Sequence, residues 1–257
     1  NISSVILNGG LAKSGDGLLT LSGSSTFAGG VNLLGGGLIF GGSAASYPVV
    51  AGPVGSGVLT LGTAGLVLSA DATARTIANA LVFSDAAASV TLGTPNAGSL
   101  ILAGPITWAN ASGSVRAVAV PLNTTAVFSG TLTGGASGDQ LVKTGLGSLV
   151  LTSTNNASVW GTNGARAVVV NAGILEVGGT GNAFEALGAN PSSYIPDNIV
   201  LDGGVLSLNL TSLSGTLNSN RGIAVGPATG SGAGALSVST SRLVLYTGTI
   251  SNNGSGM

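Results

Sequence analysis

The chain has 257 residues, a net charge of −1 and only 6% Asp, Glu, Lys and Arg, against about 25% in an ordinary soluble protein. Seven scattered basic residues cannot assemble a nucleic-acid footprint or a polybasic membrane patch. With no cysteine and no histidine anywhere, disulfides, thiolate and histidine metal sites, Ser-His-Asp triads and Cys-His pairs are excluded.

From the amino terminus onward the apolar residues come in short runs separated by Gly, Ser, Asn or Thr. They read "LLTL" at 18–21, "LIF" at 38–40, "VLTL" at 58–61, "LVL" at 66–68, "LVF" at 81–83 and "LIL" at 100–102. The series continues with "LVL" at 149–151, "ILEV" at 174–177, "VLSL" at 205–208 and "LVL" at 243–245. Runs of this length and composition are strand signals. The two candidates for a helix, "ADATARTIANAL" at 70–81 and "NAFEALGAN" at 182–190, are too short to hold a helical apolar stripe. The expectation is therefore an all-β chain. No apolar run reaches the roughly 18 residues of a membrane span, so none is expected in this segment. The chain opens at Asn1 without a signal peptide, which suggests a processed or excerpted piece of a longer protein.

Glycine makes up 45 residues and proline 8, with no Gly-X-Y period, so the chain is not collagen. Internal repetition chooses among the all-β architectures. Lys13, Gly15, Gly17, Leu19 and Leu21 superimpose on Lys143, Gly145, Gly147, Leu149 and Leu151, and "VNLLGGGLIFGG" at 31–42 answers "VNAGILEVGG" at 170–179 with a two-residue insertion. Stacked coils tolerate such insertions, because a loop projects from one corner without disturbing its neighbours. The frame divides the chain into two superrepeats, about 1–139 and 140–257, within a single elongated β-solenoid. Glycines should mark the corners, and alternation within "LEV" should send Leu175 and Val177 inward and Glu176 to water. At about 4.8 Å per rung, 9 to 12 coils of 20–30 residues would give a rod of about 45–60 Å.

The segments "LAKSGDGLLTLSGSSTFAGG", "VNLLGGGLIFGG", "LVKTGLGSLVLT" and "VNAGILEVGG", and more weakly "NIVLDGGVLSLN" and "NRGIAVG", resemble the passenger-associated repeats of bacterial autotransporters and related large surface proteins. That resemblance implies a right-handed parallel β-helix outside the cell, acting as a stalk, an adhesin or a surface fibre. The autotransporter β-barrel is not among the matching segments.

Paired carboxylates are the remaining route to catalysis, since some parallel β-helices cleave polysaccharides with acidic residues on one face. The eight acids are thinly spread. Asp16, Asp139 and Asp202 sit beside glycines, where Asp bonds to nearby turn backbone, and Glu176 reads as a solvated outward residue. Lys13 and Lys143 read as aliphatic stems lying over a rung edge with the ammonium in water. Trp108 and Trp160 adjoin Asn-rich loops, "WANASGS" and "WGTNG"; packing as loop anchors outweighs stacking on a sugar, but they are the candidate ligand contacts. No catalytic, cofactor or metal residue is assigned, and an enzyme is not expected. The sequence reading is an extracellular structural solenoid forming a stalk, fibre or sheath, with end-to-end stacking as a means of assembly. Its partners would be its own copies or neighbouring repeats. An adhesin or glycan-binding module acting through the loops, on a glycan or host surface, is the alternative.

Overall fold

Alternation decides which side chains of each short run go inside, and a coil that returns every 20 to 30 residues decides what they meet there. The computed structural model describes residues 1–109, 113–153, 157–158, 160–161, 166–179, 183–210, 214–229, 233–239 and 243–254. Its strands stack in parallel as a β-solenoid with three long sheets as faces. Face one has seven strands from Leu11–Lys13 to Ala157–Ser158, face two has ten from Leu18–Leu21 to Ile250–Asn252, and face three has seven from Arg75–Ile77 to Ala235–Val238. From Leu59–Leu61 onward the chain visits the faces in the order one, two, three in successive coils; the two coils before it have strands on faces one and two only. After Ala157–Ser158 the place of face one is taken by a 3-10 turn, Ala183–Leu187, and then by the two-stranded sheet of Ser214–Leu217 and Leu243–Tyr246.

Every strand pairing among the described residues is parallel; the one antiparallel contact is an isolated bridge between Ser25 and Gly52. The segments "NGG" at 8–10 and "DGG" at 202–204 form bends at corners and not hairpins. Ten strands on face two, at about 4.8 Å each, give a rod of about 43 Å. The first helix candidate, 70–81, supplies the end of Leu66–Ala70 and all of Arg75–Ile77, while the second contributes only the 3-10 turn.

The core is a set of columns. On face three Leu100, Ala126, Leu149, Leu175, Leu206 and Leu236 lie in register, and on face one Leu11, Val31, Leu59, Leu81, Ile106 and Leu132 do the same. Each fully buried leucine contributes about 1.5–3 kcal/mol by leaving water. Because like stacks on like at one rung spacing, the columns merge into one apolar cluster running the length of the chain. Corners draw coils closer than side chains allow: a Cβ on Gly130 would lie 1.7 Å from the carbonyl oxygen of Gly104. Glycine is required there for space, not for an unusual φ.

The "LEV" segment follows its alternation, with Leu175 and Val177 buried and Glu176 half-exposed on the outer face. Leu175→Ala should therefore cost about 2–5 kcal/mol, and Glu176→Ala no more than about 0.5 kcal/mol. Denaturant unfolding monitored by circular dichroism checks both, and equal costs would contradict the assigned faces.

Candidate functional site

A strand in a parallel stack gives its backbone groups to the rungs above and below, but a corner interrupts that ladder. The two Lys frames sit at such interruptions. Lys13 Nζ donates to the carbonyls of Ser14 at 2.8 Å, Gly15 at 2.7 Å and Gly35, in the next coil, at 3.1 Å. Lys143 Nζ repeats the pattern with Thr144 at 2.8 Å, Gly145 at 2.7 Å and Ala172, again one coil on, at 3.2 Å. Gly15 and Gly145 hold φ of +74° and +73°, a turn that brings successive carbonyls onto one ammonium and that only glycine adopts freely. The frame is thus a clamp that ties a corner to the coil above it.

This corrects the expectation of an ammonium in water. Lys143 is 0% exposed; it occupies an inward column between Val118 and Val170 on face two. Burial pushes its amine down to about 8. The two frames also occupy different corners. Lys13 ends a face-one strand and leads into face two, whereas Lys143 is the penultimate residue of the face-two strand Gln140–Thr144, which leads into face three.

Two of the remaining basic residues, Arg116 and Arg221, do similar work, which their sequence positions do not reveal. Arg116, 1% exposed, directs Nη1 at the carbonyls of Ser84, Asp85 and Ala87 at 3.1–3.3 Å and Nη2 at that of Ala109. Arg221, 0% exposed, binds the carbonyls of Leu187, Gly188 and Ala189 and the side-chain oxygen of Asn198 at 2.5–3.2 Å. Burial pushes the Arg221 guanidinium down to about 10, so it stays charged at neutral pH. Asp139, also buried, accepts from the amides of Ser114 and Ala136. Asn198 reaches the Gly161 carbonyl, and Asn79 those of Gly55 and Gly57. Lys13, Arg116, Asp139, Asn198 and Arg221 all serve the corner between faces one and two, so one edge of the solenoid carries a row of polar clamps.

Trp108 and Trp160 point into the same corner. They are 2% and 1% exposed, with ring centroids 5.1 Å apart at 30°, and Phe83 meets Trp108 edge-on at 6.3 Å. Gly134, the residue stacked on Trp108 in the next coil, contributes no side chain, which leaves room for Trp160. Among the described residues Trp108 Nε1 has no hydrogen-bond partner, so packing holds the buried ring. In this arrangement neither ring offers a face to a sugar.

The carboxylates do not converge. Asp71 pairs with Arg75 at 2.5 Å, a contact that holds its carboxyl below the usual range. Asp197 pairs with Arg166 at 2.7 Å on the surface, and Glu176 accepts from Asn209. Asp16 lies exposed in a bend, and Asp202 lies in another. Among the described residues no group of three Asp, Glu, His or Cys could hold a metal ion. Arg242 falls outside the described residues. No known family, curated protein or solved structure matches this chain.

The clamps make a graded prediction. Lys143→Met removes a fully buried donor from three partly buried carbonyls and should cost about 1–3 kcal/mol, while Lys13→Met, at a more exposed corner where water can substitute, should cost less than about 1 kcal/mol. Folded Lys143 releases its proton near pH 8, against 10.5 ordinarily, so between those values the unfolded chain binds more protons. The stability of the parent chain relative to Lys143→Met should therefore rise across that window. Denaturant unfolding at both ends of it measures the sign, and a fall would contradict the burial of the amine.

Proposed function

We propose that this chain is a structural segment of a bacterial surface protein: an extracellular β-solenoid whose work is to be long, stiff and resistant to attack as part of a stalk, fibre or sheath. The observation that carries the reading is the employment of its scarce polar chemistry. Each basic residue of the described chain is either a clamp on corner carbonyls or half of an ion pair. The buried Asp139 is likewise committed to backbone amides. Side chains so committed hold coils together and are not free for a substrate.

Two further features support a place outside the cell. The repeated Lys-x-Gly-x-Gly frame resembles autotransporter passenger repeats. The outer surface rests on Ser, Thr, Asn and Gly, with 6% charged residues. No helix among the described residues is long and apolar enough to cross a membrane. A role as an adhesin acting through Trp108 and Trp160 gains nothing from their burial.

Resistance to attack can be read directly, because trypsin needs an exposed basic residue in a chain that can open locally. Lys143, Arg116 and Arg221 are at most 1% exposed, whereas the side chain of Arg166 is 46% exposed. Limited digestion of the folded chain should cut after Arg166 before any of those three; early cleavage at Lys143 would mean that the clamp is loose. For the location, antibodies to the purified chain should label intact producing cells, and external protease should strip the label. Labelling only after permeabilisation would overturn the surface reading.

A further inference from the structure

The two lysine corners share little except the turn itself. Lys13 stands half-buried at the corner from face one to face two, and Lys143 fully buried at a corner from face two to face three. A Cβ on Gly15 would meet open space, whereas one on Gly145 would lie 2.3 Å from Val120 O. The acceptor from the following coil is Gly35 in one frame and Ala172 in the other. Yet the N···O distances are 2.8, 2.7 and 3.1 Å at Lys13 and 2.8, 2.7 and 3.2 Å at Lys143, and φ is +74° at Gly15 and +73° at Gly145. A geometry that survives such a change of surroundings belongs to the turn, which sets the carbonyl oxygens whatever packs around it.

Those oxygens also define what they hold. A lysine ammonium carries three N–H donors and no acceptor, and each corner offers it three carbonyls. Neither lysine has an ion-pair partner among the described residues, so the attraction comes from neutral dipoles and not from a carboxylate. The set matches a primary ammonium donor for donor. A quaternary ammonium has no N–H to give, and calcium takes about six to eight oxygens, usually with carboxylates among them. At Lys143 the residues stacked on either side in the inward column are Val118 and Val170, so the surroundings suit an alkyl chain as well as the charged head that ends it.

We infer that the Lys143 corner is a binding site for alkyl primary ammonium ions, which the chain fills with its own side chain. The tether supplies the ligand, and the turn supplies the recognition. Lys143→Ala then keeps the three carbonyls and frees the space of Cγ, Cδ, Cε and Nζ, which n-propylammonium matches atom for atom. Small guests reach engineered internal cavities from solvent. The site depends on the clamp geometry alone, so a failure of the antibody labelling would leave it untouched.

Denaturant unfolding of the chain carrying Lys143→Ala, at neutral pH over a series of n-propylammonium chloride concentrations matched in ionic strength with sodium chloride, tests the site. A guest that binds only the folded chain multiplies the folded-to-unfolded ratio, by about elevenfold when it reaches about ten times its dissociation constant. Tetramethylammonium chloride, which has the charge without donors, and propan-1-ol, which has the chain without the charge, should leave the variant where sodium chloride leaves it. The parent chain and Lys143→Met, whose own side chains fill the space, should not respond to n-propylammonium. Indifference of Lys143→Ala to n-propylammonium, or equal stabilisation by propan-1-ol or tetramethylammonium, would overturn the site. Should Lys143→Ala not fold alone, recovery of its circular dichroism on adding n-propylammonium becomes the readout, and Lys13→Ala enters the unfolding series; no recovery in the first and no response in the second would overturn it equally.

Discussion

A parallel ladder satisfies the backbone of every strand, yet it lapses wherever the chain turns, and the carbonyls of the turn must find donors elsewhere. In a globule of ordinary composition water or a helix would supply them. Here the turns press against one another at rung spacing, and side chains must provide the donors. Burying an ammonium or a guanidinium among apolar columns is costly. It is tolerable at Lys143, Arg116 and Arg221 because each head meets three or four acceptors fixed by the turn itself. The apolar columns supply most of the favourable free energy, and the clamps determine where each coil may bend.

The same constraint explains the composition. A solenoid whose corners approach within contact of one another needs glycine for room, as Gly104 and Gly130 show, and a few long cations or amides to close the gaps. Additional charge would have nowhere to go inside and little to do outside. The scarcity of Lys and Arg and their near-complete burial or pairing are two aspects of one design.

How much of this could be read from the residues varies with the range of the interaction. Alternation is local, so the inward Leu175 and Val177 and the outward Glu176 follow from three letters, and so does the parallel stack once repeats are recognised. The Lys frame is visible because its first two acceptors, one and two residues on, share its motif. Its burial is not, since that depends on Val118 and Val170 in the coils on either side. Arg116 and Arg221 carry no motif at all: their main acceptors lie 29 to 34 residues earlier, and no periodicity announces them. For the tryptophans the neighbouring Asn-rich loops drew attention to ligands, while the fact that decides their burial is the glycine stacked on Trp108.

The placement of the two Lys frames at successive corners has a geometric outcome. From Lys13 the stacked residues Leu33, Leu61, Phe83, Trp108 and Gly134 mark five full windings, and one more face leads to Lys143. A duplicated unit of this size therefore advances by five windings and a third. Chained copies would carry whatever loop they bear one face further round the long axis each time. The decoration would spiral around such a shaft, and the same side would show it again only with every third copy.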